Sequence, residues 1–396
     1  MSFLFVVLIV LCIVATIAGY NLGHRRQYAR KLSSPSHETK QNLDEKGSRG
    51  PAGYGESQQE GLFSQGIEPL ENFDWRATEP HKLRPFKPKY HITMGQKAPT
   101  LQTDTPSELI TIDHDYYDRV MARRNTVKEH GPTVIGCVPR GRAAVRELYS
   151  YLLGGYLPVR FPTMFQLEHQ SGDQHGTDFV NKVTGLRVPL APAQDEPLVA
   201  LETIAETVED DIFLLLQREQ QDNGEPGEHE AVAFVCCHPS GFDPSEKLGK
   251  VLRDVHGPVP AYDKIGPSME RFFSRLEVGR SAKRANWGVQ THTDLFAPSG
   301  NHVYVGEEVE EDSAVDAESA RLRVELQTLT RLPKTKAILF SFKTYLYPLA
   351  EIKAEGLGPQ LADAIEGLKA GNAPGMWVYK GSVRWGKAVC EFLRSH

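Results

Sequence analysis

"LRVELQTLTRLPKTKAILFSFKTYLYPL", residues 322–349, decides the fold class. In its first half Leu322, Val324 and Leu326 alternate with Arg323, Glu325 and Gln327. A period of two sorts side chains onto two faces only when the chain is extended. The turn "LPKT" follows, and then a second apolar run, "AILFSFKTYLYPL". Two extended runs joined by a short Pro-containing turn make an antiparallel hairpin.

Upstream the periodicity changes. A helix is expected over about 116–129, and another in "GRAAVRELYSYLLGGY" (141–156), stopped by Gly154 and Gly155. "ALETIAETVEDDIFLLLQRE" (200–219) reads as a third. "EAVAFVCCHPSGF" holds a buried strand over 231–237 that breaks at Pro239-Ser240-Gly241. Helices early and between, with strands late, predict an α+β domain rather than a doubly wound one.

The folded part is expected to be one domain, 80–396. Before it, "FLFVVLIVLCIVATIAGY" (3–20) is apolar and uncharged. As a helix it would be about 27 Å long, close to a thin hydrocarbon core. The cationic stretch "HRRQYARK" follows it. The expectation is therefore a transmembrane anchor over 1–20, a disordered linker over 21–79 and a cytosolic domain. That describes a single-pass protein of the endoplasmic reticulum membrane; a cleaved secretory signal stays open as the alternative. Five cysteines, at 12, 137, 236, 237 and 390, show no zinc or haem-attachment spacing and fit a reducing compartment. A net charge of -6 gives no electrostatic case for a nucleic-acid partner.

Several residues could carry chemistry. In "KLGKVLRDVHGPVPAY" (247–262), Leu248, Val251, Leu252 and Val255 form an apolar stripe at helical spacing. Asp243, Pro244 and Glu246 make a good start for that helix, and His256 ends it before Gly257. The imidazole either caps carbonyls at the helix end or faces a ligand beside the core. Arg323, Glu325 and Gln327 share one strand face, which is either the wet side of a sheet or the polar wall of a pocket. "KRANW" (283–287) adds Arg284 beside Trp287, an aromatic that serves as core or as a shelf for a cofactor. "DHD" (113–115) is a D-x-D that could hold the metal of a glycosyltransferase, or Asp113 could cap a helix. No GxSxG, HExxH, P-loop or GxGxxG occurs, so hydrolase, zincin and nucleotide-binding readings lack a motif.

Together, "RPFKPKYHITMG", "YLPVRFPTMFQL", "VEDDIFLLLQRE", the stretch 236–273, "RANW" and the hairpin resemble, in order, the haem-dependent oxidative N-demethylase family, from about residue 84 to 380. The resemblance implies a PAS-like antiparallel sheet with helical additions, binding haem b. It implies oxidation of a secondary or N-methyl amine with O2, releasing formaldehyde, with electrons from a separate reductase carrying NADPH, flavin and iron–sulfur components. It implies His256 as the iron ligand, with His238 and His91 as lesser candidates. Arg284 and Glu325 become the catalytic pair, one serving oxygen and the other the amine, and Trp287 and Arg323 become cofactor contacts. Leu326 stands where relatives usually carry arginine, and the acidic run 306–318 is an unusual insertion. A PAS-like haem sensor without turnover and the membrane-anchored glycosyltransferase remain the alternatives.

Overall fold

The computed structural model describes residues 66–90, 92, 102–169, 176–191, 196–219, 227–312 and 314–395. Ten strands run through them: β1 (Gln102–Asp104), β2 (Ile135–Cys137), β3 (Phe165–His169), β4 (Thr177–Asn181), β5 (Arg187–Pro189), β6 (Asp211–Gln217), β7 (His229–Val235), β8 (Ser281–Gln290), β9 (Arg321–Arg331) and β10 (Ile338–Pro348). The main antiparallel sheet has the order β1-β8-β9-β10-β6-β7-β2, and β3-β4-β5 form a small separate one. Helices fill the intervals, so the class is α+β.

The hairpin that sets this class pairs from Ile338↔Arg331 to Pro348↔Arg321 without a slip. Its register, continued into β8 and β6, assigns one face of the sheet. Arg284 and Asn286 of β8, Glu325 and Gln327 of β9, Phe340 and Phe342 of β10 and Phe213 of β6 all lie on it. Leu322 and Val324 turn the other way, into the cluster that includes Leu361, Ile365 and Val389 of the C-terminal helices.

Four expectations need correction. The transmembrane helix over 1–20 lies outside the described residues, and among the described residues no helix is long and apolar enough to cross a membrane. The single-pass membrane placement, and with it the anchored part of the expected architecture, has no support among the described residues. The stretch 200–219 is not one helix: it forms the helix Pro197–Ala205 and then strand β6. Between Asp211 and Gln217 the run "IFLLL" is apolar because consecutive side chains on both faces are buried, and such a run carries no period to separate strand from helix. Gly154 and Gly155 do not stop their helix either. It passes through them as a π-helical turn, Leu152–Tyr156, and ends at Arg160. Nor is 243–256 one helix. A 3-10 turn, Pro244–Lys247, leads to Gly249 at φ 76, a left-handed conformation glycine adopts freely. Gly249 N–H donates to the Ala231 carbonyl and Ala231 N–H to that of Lys250, so this segment borders β7 before the single turn Leu252–Val255. Residues 66–79, within the expected linker, follow the core: Ile67 is buried and Leu70 N–H donates to the Arg160 carbonyl at 2.9 Å.

Two ionic clusters lie inside the fold. Arg123, from the helix Tyr116–His130, is fully buried and donates to Asp211 at 2.5 Å. The same carboxylate accepts from Cys237 N–H at 2.7 Å and His238 N–H at 2.8 Å. Nearby, Lys343 Nζ reaches Asp113 at 2.7 Å and Glu209 at 3.0 Å. Asp113 also accepts from Asp115 N–H. The D-x-D carboxylate is thus buried and neutralised by a lysine, and among the described residues no cluster of His, Cys, Asp and Glu could hold a metal ion.

Removing one partner of a buried pair leaves its charge uncompensated, so Asp211→Ala lowers stability by about 3–5 kcal/mol in urea unfolding. Asp210 offers a pH test. Burial pushes its carboxyl up to about 7, and Oδ2 has no hydrogen-bond partner. The folded chain therefore keeps a proton that the unfolded chain gives up, and between about pH 4 and 7 this group costs stability as pH rises. In Asp210→Asn the Tm difference from wild type grows across that window and is flat below it.

Candidate functional site

The polar and aromatic face of the sheet forms the floor of a cavity of about 780 Å³. Helix Gly266–Arg275 supplies Met269, Phe272 and Phe273 to its wall, and the segment around His256 supplies another side. The volume suits a large organic ligand, within the usual range for cofactor sites. Five of the residues singled out in the sequence, His256, Arg284, Trp287, Arg323 and Glu325, line it.

His256 closes the short turn Leu252–Val255. Its Nδ1 lies 2.9 Å from the Leu252 carbonyl. A carbonyl only accepts, so the proton sits on Nδ1 and Nε2 is left as the basic nitrogen. The ring stacks on Tyr262, with centroids 4.8 Å apart and planes 6° from parallel. Ala261, just before Tyr262, holds the left-handed φ of 59°, unusual for a residue with a Cβ. Burial pushes the imidazole down to about 4, so it is neutral at physiological pH. A neutral imidazole fixed by a backbone carbonyl is how metal-binding histidines are oriented.

On the floor, Arg284 donates through Nε to Gln327 Oε1 at 2.6 Å. That bond orients the guanidinium and leaves both Nη groups without a bond to the described residues. Desolvation holds its pKa below the ordinary value. Gln327 turns its own amide to Glu325 Oε2 at 3.0 Å, and Asn286 reaches the same oxygen at 3.3 Å. Glu325 Oε1 faces Arg323 Nε at 3.8 Å, beyond hydrogen-bond length. Arg323 itself is spent on the scaffold. Its Nη groups donate to the His238 carbonyl at 2.5 Å, Gln290 Oε1 at 3.2 Å and the Leu295 carbonyl at 3.3 Å.

Trp287 is buried, edge-on to Phe86 with centroids 6.4 Å apart. Its carbonyl accepts from Lys380 Nζ at 2.5 Å. Lys380 follows the turn Met376–Tyr379 and is 7% exposed. Burial pushes its ammonium down to about 8, while Glu325 works in the opposite sense.

Lys380 and His302 were not apparent from the sequence. His302 lines the cavity, stacks on Tyr379 with centroids 4.4 Å apart, and has a buried Nδ1 without a partner. Burial pushes it down to about 3. Both sit in stretches with no period and no motif. Of the lesser histidine candidates, His238 is buried but does not line the cavity, and His91 lies outside the described residues.

The family model described as haem-dependent oxidative N-demethylase, alpha subunit-like, matches residues 100–390. That is well over half the chain, and the chain belongs to this family.

Glu325 raises the Lys380 ammonium against the burial that lowers it. Titration of the Lys380 side chain followed by NMR is expected to give a midpoint near 8. Glu325→Gln removes the group that raises it and moves the midpoint lower; an unchanged midpoint would show that the two do not sense each other.

Proposed function

We propose, from membership of that family and from this cavity, that the protein is a haem-dependent monooxygenase that removes a methyl group from a secondary or N-methyl amine. The carrying observation is His256: a neutral imidazole at the wall of a large cavity with many aromatic side chains, its Nδ1 proton held by the Leu252 carbonyl. The residues present fit a haem. The imidazole offers one basic nitrogen, Phe213, Phe340 and Phe342 offer flat apolar surface, and basic side chains around the wall suit a dianionic porphyrin. The strand order β7-β6-β10-β9-β8, a first hairpin joined to a three-stranded meander along its last strand, supports the PAS-like reading of the sheet.

When bound, the haem supplies the iron at which dioxygen is reduced. The overall reaction consumes the amine, O2, two electrons and two protons, and yields the shorter amine, formaldehyde and water. The electrons come from a separate reductase with NADPH, flavin and iron–sulfur centres. Within this chain, Glu325 pairs with the substrate ammonium through Oε1, since Oε2 is held by Asn286 and Gln327. In a dry pocket such a charge-assisted contact orients the amine. Arg284, steadied by Gln327, directs its Nη donors into the cavity as hydrogen-bond partners for dioxygen. The aromatic wall excludes water from the amine.

The chain loaded with haem is expected to show a Soret band. His256→Gly loses it or shifts it, and added imidazole restores it. With reductant and an N-methyl amine, formaldehyde is released, and Glu325→Gln lowers kcat/KM by about ten- to a hundredfold, the worth of one charged hydrogen bond. A chain that stays colourless overturns the proposal. Reversible gas binding without formaldehyde would make it a haem sensor instead.

A further inference from the structure

The cavity is charged in a way that a simple amine does not explain. Among its described lining residues are seven basic side chains and a single carboxylate, Glu325. The chain as a whole is at -6, so this excess is local. The most exposed of the seven, Lys87 and Lys89, are well placed to meet anionic groups near solvent. Lys380 differs: it is buried beside Glu325, which is its principal attractive charge.

Both groups line the cavity, and neighbouring residues of β8 hold them. Asn286, whose amide holds Glu325 Oε2, directly precedes Trp287, whose carbonyl holds Lys380 Nζ. An ammonium carries three donors, and that carbonyl takes one of them. A dialkylammonium ion entering here would find its only carboxylate already flanked by Arg323 at 3.8 Å and by the fields of Arg284 and Lys380. An isolated cation gains from Glu325 alone and is opposed by these neighbours. A ligand with charge of both signs gains at both ends, because desolvated partners strengthen each contact.

We infer that the amine carries its own carboxylate, as an N-methyl amino acid does, with its ammonium on Glu325 and its carboxylate on Lys380. This rests on the proposed N-demethylation for the role of the ammonium, and it adds the substrate class. Lys380 is then a specificity residue. The apolar wall accommodates the N-methyl group and any side chain, while the two charges fix which end enters first.

The test compares sarcosine (N-methylglycine) with dimethylamine by calorimetry on the haem-loaded full chain, with formaldehyde release measured separately. Sarcosine is expected to bind at least tenfold more tightly. Lys380→Met abolishes that preference by weakening sarcosine, whereas Lys380→Arg keeps it. A merely structural lysine would weaken both ligands together. Equal binding, or tighter dimethylamine, overturns the inference even when both amines release formaldehyde and the demethylase reading stands. A Lys380-dependent preference without formaldehyde from either compound supports the substrate class and removes the demethylase reading. Loss of haem in Lys380→Met with the preference intact overturns the inference and assigns the lysine to the cofactor.

Discussion

The pairing of Arg123 with Asp211 holds this structure's functional half together. It joins the helix Tyr116–His130 to the first residue of β6, and through two backbone N–H groups it fixes the turn that follows β7. That turn presents the His238 carbonyl to Arg323 on β9. Arg323 in turn stands behind Glu325 on the cavity floor. One buried ion pair thus reaches the candidate site through a relay of backbone and guanidinium contacts. Neither charge could stay buried alone, because desolvation is repaid only when every donor and acceptor is satisfied.

The floor follows from ordinary sheet geometry. Adjacent strands in register bring Arg284 opposite Gln327 and Asn286 opposite Glu325, so one face collects a guanidinium, two amides and a carboxylate at contact distance. The amides act as fixed spacers. They hold Arg284 and one oxygen of Glu325 in place and leave the remaining polar atoms to a ligand. Rigid strands give such a site better precision than loops would. His256 comes from less regular chain, and its orientation depends on one carbonyl and one stacked tyrosine.

How much of this the sequence carried depended on periodicity. β9 was legible because one face is apolar and the other polar, an alternation that also marked Arg323, Glu325 and Gln327 as a set, and β10 was legible as the apolar run that follows a short Pro-containing turn. β6 was not legible, since a strand flanked on both edges and buried on both faces carries no alternation. The end of the segment at His256 was visible from Gly257, whereas the break at Gly249 was hidden by an apolar spacing that happens to fit a helix. Arg323 looked like a ligand-binding cation, but its donors go to carbonyls that only the fold brings near. Lys380 and His302 reach the cavity from distant, patternless stretches. The apolar run at the N-terminus invited an anchor, while no described helix has the length and hydropathy to serve as one.

The contact between Lys380 and the Trp287 carbonyl has a second meaning at the rim of the main sheet. Among the described residues β1 pairs with β8 only at Ser281–Lys283, and beyond it the buried ammonium of Lys380, not a strand, takes the Trp287 oxygen. A buried acceptor left without a partner costs free energy, so the lysine completes a ladder that β1 leaves unfinished. Any anion that drew Nζ away would strip that acceptor, so sheet and cargo would compete for the same three protons.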